Sequence, residues 1–207
     1  MPLKLYYARG ACSLASHIAL EEAGAEFEAI SVNLASGEQK NVDFVELNPK
    51  ARIPVLVTED GILTENPAIL LYVAMRFPEA NLAPLKDAFK LARILSFNAY
   101  LSSTVHVAHA HGPRGIRWAD ESSSLEDMKR KVPQTMADCF ALIENDFFEG
   151  PWVMGQDYSI ADMYLFTFAT WLEADGVDPS GFPAILDHRN RMLERPAVKA
   201  VMIREAS

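Results

Sequence analysis

The strand signals in this chain stop abruptly. Short apolar and aromatic runs bounded by Gly, Pro, Asn or Asp fall before residue 66, and from residue 86 every periodic segment is helix-length. That break demands a small sheet from the first part of the chain and an all-α remainder. Residues 3–8 (Leu-Lys-Leu-Tyr-Tyr-Ala) read as a strand ending at Arg9-Gly10. A helix then starts near Cys12-Ser13, buries Leu14, Ala15, Ile18 and Ala19, and stops at Gly24. A second strand covers 27–34, and a short helix covers 43–47 before the breaker Asn48-Pro49. Strands at 54–57 and 62–64 flank the turn Glu59-Asp60-Gly61. Glu65-Asn66-Pro67 opens a helix whose inward face is Ile69, Leu70, Val73 and Phe77.

The order β-α-β, connector, β-β-α makes a small mixed sheet over residues 1–80. The Pro-flanked segment after it is a linker, taken as 81–87, and an all-helical domain fills 88–207. Its predicted helices lie at 89–111, 124–148, 160–171, 182–194 and 197–204. Ser159 and Asp162 form a capping-box pattern, and the helix after them is apolar nearly all round, as a buried central helix is.

Half of the 207 residues are apolar, enough to fill a core, yet no apolar run reaches the ~18 residues of a membrane span. The start, Met1-Pro2-Leu3-Lys4-Leu5, lacks the basic and apolar regions of a secretory signal, so a soluble cytoplasmic protein is expected. A net charge of −9 without any basic stripe excludes nucleic acid as the main partner. A small anionic ligand remains compatible, because it needs only a few local donors. The two cysteines, Cys12 and Cys139, make neither a disulfide scaffold nor a zinc site.

Cys12 lies between a strand and a helix start, where free N–H groups and the helix dipole favour thiolate over thiol. The plainer alternative is a small buried apolar cysteine, which is the reading favoured for Cys139. Ser13 either caps the helix or donates to an anionic sulfur, and Tyr7 can do the latter from the strand end. Glu65 and Asn66 either bind the two charged ends of an amino acid or simply cap a helix. His106 and His109 share a helix face, but no third ligand has metal-binding spacing, so no metal is expected. Arg114, Arg117 and Trp118 follow in a broken segment that lines a pocket wall or is solvated.

Five segments, in order, resemble the glutathione S-transferase family, most closely its bacterial beta class. They are residues 5–18, with Tyr7, Cys12, Ser13 and His17; 48–56, with Ile53-Pro54; 63–69, with Glu65-Asn66; 155–164, with the Ser159–Asp162 box; and 194–198. The resemblance implies a thioredoxin-like N-terminal domain, an all-helical C-terminal domain and a homodimer. It implies an enzyme, a glutathione transferase that binds glutathione as co-substrate and conjugates it to a small electrophile. Cys12 would contact the glutathione sulfur and form a mixed disulfide with it, adding thiol–disulfide exchange or peroxide reduction. Ile53 and cis-Pro54 would pair with the cysteinyl part, and Glu65 and Asn66 would hold the γ-glutamyl end. Lys40 would replace a lysine expected near Ser36. His106 would reach the glutathione from the helical domain, with Tyr7 and His17 close by. A second-substrate pocket is expected from Arg9, His109, Arg114 and Trp118, its arginines suiting an anionic electrophile. The alternatives are a non-enzymatic ligand- or partner-binding protein and a glutathione-dependent isomerase or dehalogenase.

Overall fold

The computed structural model describes residues 2–206; Met1, part of the expected non-secretory start, and Ser207 lie outside it. Four strands, β1 (Leu3–Tyr7), β2 (Phe27–Ser31), β3 (Val55–Thr58) and β4 (Gly61–Thr64), form one mixed sheet in the order β2-β1-β3-β4. β1 runs parallel to β2 and antiparallel to β3, and β3 pairs antiparallel with β4. Leu5 faces Ala29 on one side and Leu56 on the other, which puts it at the centre of the sheet. Helices α1 (Leu14–Glu22) and α3 (Asn66–Arg76) share a core with Leu5 and Leu56 through Ile18, Ile69, Leu70 and Val73. A separate small cluster of Val32, Phe44 and Val55 brings α2 (Val42–Leu47) against the sheet. This is a thioredoxin-like arrangement.

β2 ends earlier than the pattern predicts. The Asn33 side chain accepts N–H bonds from Ala35 and Ser36 at 3.0 and 3.1 Å, turning the chain away from the sheet. The connector is also less loose than its composition suggests, because Leu82 is buried and its carbonyl accepts from Ile160 N–H at 2.9 Å.

The remaining helices are α4 (Ala88–Tyr100), α5 (His106–Ala110), α6 (Ser122–Leu142), α7 (Ile160–Ala169), α8 (Pro183–Glu194) and α9 (Pro196–Ala206). The predicted long helix at 89–111 is interrupted by a π-turn over Leu101–Val105, and the one at 124–148 ends in another over Ile143–Phe147. A π-turn inserts an extra residue and rotates the residues after it, which simple 3.6-residue periodicity does not register. Every residue of α7 is buried, and α1, α3, α4 and α8 pack around it. Among the described residues, no helix is long and apolar enough to cross a membrane.

α7 starts at a complete capping box. Ser159 Oγ accepts from Ala161 N–H, and Asp162 Oδ2 accepts from Ser159 N–H at 2.8 Å. Asp162 Oδ1 also accepts from Val153 N–H at 2.8 Å and meets His188 Nε2 at 3.1 Å, all fully buried. Removing this carboxylate strands several buried donors at once. Asp162→Ala should therefore cost about 3–5 kcal/mol and Ser159→Ala about 1 kcal/mol, read from urea denaturation midpoints. Equal losses for the two would contradict the hub role of Asp162.

Candidate active site

The chain leaves β1 at Tyr7 and makes a tight loop over residues 8–13 before entering α1. Gly10 takes φ +66°, a left-handed conformation that favours glycine. Ser13 is fully buried; its hydroxyl accepts from Ala8 N–H at 3.1 Å and donates to Ala8 carbonyl at 3.3 Å. It therefore clasps the loop, in place of the expected cap or donor to sulfur. Asn66 braces the same loop from α3, donating to the Cys12 carbonyl at 2.8 Å and accepting from Ser16 Oγ at 2.6 Å. Its amide thus supports the loop in this arrangement, and the residue at the cap of α3 is Glu65 instead.

The loop presents Cys12 Sγ to the Ile53 carbonyl at 3.6 Å. Ile53-Pro54 is cis, and Asn48 supports this turn by donating to Arg52 carbonyl at 2.7 Å. Beside it, Glu65 precedes α3 at φ +72°. A residue with a β-carbon adopts that conformation at a cost of about 1–3 kcal/mol. Its exposed carboxylate pairs with Lys50, which also donates to Thr64 Oγ1 at 2.7 Å. Lys50 sits inside the Asn48–Pro54 segment but carried no signal of its own in sequence.

Burial decides the state of Cys12. At 8% exposure its thiol is pushed up to about 11, chiefly by loss of hydration; Arg114 opposes this and Glu65 reinforces it. Burial thus opposes the effect of the helix start, because a thiolate loses its hydration there. His106 is pushed down to about 4 by burial and then by Arg114, His109, Arg117 and Arg52, so it is neutral at ordinary pH. Arg52, Arg114 and Arg117 act on one another as well, and none of the three has a carboxylate partner among the described residues. Arg52 and Arg117 thus join the expected Arg114 in a positive cluster beside Cys12.

The other predicted residues divide. His109 stacks on Trp171, with ring centroids 4.2 Å apart, and its Nδ1 lies 2.9 Å from both carboxylate oxygens of Asp175. Trp171 in turn donates from Nε1 to Gly10 carbonyl at 2.9 Å. Trp118 packs on His111 instead of on His106 or His109. Arg9 is turned to α9, where Nη1 donates to Ala206 carbonyl at 3.4 Å, away from the arginine cluster. Lys40 is exposed in a 3₁₀ turn, and no hydrogen bond or ion pair among the described residues ties it to Cys12, Ile53 or Glu65. Tyr7 is buried against the His17 ring at 4.8 Å, and no described hydrogen bond joins its hydroxyl to Cys12. His17 is fully buried and bonds Glu205 at 2.9 Å and Arg204 at 3.2 Å; the second oxygen of Glu205 accepts from Gly10 N–H at 3.2 Å. Nothing in the local sequence of Arg204 and Glu205 announced this long-range clasp.

A buried thiol facing the carbonyl before a cis-proline, on a thioredoxin-like sheet backed by a helical bundle, defines a thiol-handling protein of the transferase type. The sequence patterns described as "Glutathione S-transferase, N-terminal domain" and "Glutathione S-transferase, C-terminal domain" match residues 1–75 and 104–196. The chain belongs to the glutathione S-transferase family. It is 31% identical to glutathione S-transferase GstA of Escherichia coli O157:H7 over 205 residues, covering 98% of each chain. A glutathione transferase homologue from Sulfitobacter, solved with bound glutathione, is 45% identical with TM-score 0.95 over 98% of each chain. A sphingomonad glutathione S-transferase complexed with glutathione is 35% identical with TM-score 0.87, again over 98% of each chain.

The raised thiol has a direct readout. Alkylation of Cys12 by iodoacetamide should accelerate about tenfold per pH unit until close to pH 11, followed by mass spectrometry. A rate already level at pH 8 would show a thiolate that this burial does not permit.

Proposed function

We propose that the chain is a glutathione transferase that holds glutathione along Cys12, the Ile53 backbone and the Glu65 turn. The observation that carries this reading is the placement of Cys12 Sγ at 3.6 Å from the Ile53 carbonyl, with Glu65 held out by a strained backbone next to it. Ile53 offers backbone groups to the cysteinyl unit of the peptide. The Glu65 carboxylate takes the γ-glutamyl ammonium in exchange for Lys50, and the freed Lys50 faces the neighbouring carboxylate. Cys12, still protonated, donates its S–H to the glutathione thiolate. Arg52, Arg114 and Arg117 stabilise that thiolate electrostatically and offset the net charge of −9 locally. A small electrophile then docks beside His106, His109 and Arg114.

The same cysteine supports a slower exchange reaction. Deprotonated Cys12 sulfur attacks one sulfur of oxidised glutathione, forming a mixed disulfide and expelling the other glutathione as thiolate. The protein in this reading works in the cytoplasm, with units 1–80 and 88–207 joined by 81–87. It is a homodimer whose contact includes the exposed apolar residues Ile62, Met75 and Phe89.

Calorimetry with glutathione should show binding at or below about 1 mM, weakened at least tenfold, about 1.4 kcal/mol, by Glu65→Ala. No heat at millimolar glutathione would overturn the proposal. Cys12→Ala should abolish the mixed disulfide in intact-mass spectra while retaining glutathione binding. Phe89→Asp should shift the protein from dimer to monomer in light scattering after size exclusion.

A further inference from the structure

We propose that a cleft between α4 and the loop leading into α7 binds short apolar peptides with free termini, at a site separate from Cys12. The cleft measures about 980 Å³, at the upper end of the ~300–1,000 Å³ range of small-molecule sites. Its walls are the connector at 80–84, the start of α4, the loop at 149–159 and Arg195. Cys12, Ile53, Glu65, His106 and the arginine cluster take no part in its lining.

The apolar floor is firmly held. Trp152 N–H donates to Gly155 carbonyl at 3.0 Å and Gly155 N–H to Trp152 carbonyl at 3.1 Å, so a tight reverse turn carries the indole. The Trp152 and Tyr158 rings meet edge to face, with centroids 4.9 Å apart. The Arg195 guanidinium lies 3.6 Å from the Tyr158 ring centre and is fixed by Glu22, with Nη2 at 2.8 Å from Oε2. The Tyr158 hydroxyl donates to the same carboxylate at 3.1 Å. With Ile94 and Met154, these rings give a preorganised surface for an apolar side chain.

The charges of the lining select the ligand. Arg93 is paired with Glu149, and Arg195 with Glu22. Two charged groups are left over: Lys90 on α4 and Asp157 on the loop, both exposed and neither with a side-chain partner among the described residues. A simple anion would meet Lys90 and leave Asp157 near its own charge, and a simple cation would do the reverse. A molecule with one carboxylate and one ammonium satisfies both. Gln156, next to Asp157, brings an amide with its own donors and acceptor, which complements a peptide bond. The peptide's carboxylate therefore pairs with Lys90 and its amino group with Asp157, while an apolar side chain lies on Trp152 and Met154.

Calorimetry on the whole chain with the dipeptide leucyl-leucine tests this. It should bind with a Kd at or below about 1 mM. Amidating its carboxyl end or acetylating its amino end should each weaken binding about tenfold. Lys90→Met should weaken the free dipeptide about tenfold and no longer distinguish it from the amide, and Asp157→Asn should likewise no longer distinguish it from the acetylated form. Glu65→Ala should leave dipeptide binding unchanged. No heat with millimolar dipeptide, equal affinity for the doubly capped form, or loss of dipeptide binding in Glu65→Ala overturns the inference. The transferase reading is independent of these results and fails instead on absent glutathione binding.

Discussion

The site depends on how one short loop satisfies its own backbone. Residues 8–13 satisfy part of their backbone locally, as Ala11 N–H does on Ala8 carbonyl and Leu14 N–H on Ala11 carbonyl, and the remaining groups need further partners. Ser13 closes on Ala8, Asn66 takes the Cys12 carbonyl, Trp171 takes the Gly10 carbonyl and Glu205 takes the Gly10 N–H. Those partners come from the loop itself, α3, the turn after α7 and α9. The sulfur position is therefore a property of the whole fold, and the buried helix α1 transmits it to both parts of the chain.

Electrostatics at the site run against the molecule as a whole. The chain is acidic, so its long-range field repels an anionic tripeptide. Close to Cys12 the sign reverses, through three arginines with no carboxylate partners among the described residues. Such a cluster is costly by itself and is relieved by an incoming anion. Burial meanwhile pushes the protein's own thiol up, towards its neutral form.

Much of the sheet and the helix order was legible, because strand alternation, Gly and Pro breaks and the Ser159–Asp162 spacing are local signals. Cys12, Ile53-Pro54 and Glu65 had plainer local readings and were joined into one site only through the family resemblance. The rest was written in contacts that sequence spacing does not display. Glu205 meets His17 across the length of the chain, and Asp175 meets His109 through a loop with no helix period. Ser13 and Asn66 have the composition of ligand groups, yet the backbone claims them first. The π-turn over Leu101–Val105, a one-residue insertion in an otherwise helical pattern just before His106 and His109, leaves no periodic trace. At Cys12 the helix-terminus effect was visible in sequence, whereas the burial that pushes the thiol up to about 11 was not.

The positive φ of Glu65 sets stability against the proposed recognition of glutathione at one position. Glycine would relax that backbone and make the fold more stable, yet would remove the carboxylate that pairs with Lys50 and that is proposed above to take the γ-glutamyl ammonium. A library sorted for thermal tolerance alone would thus drift away from glutamate there, and on the proposed binding mode its most heat-resistant clones would be among the poorest binders.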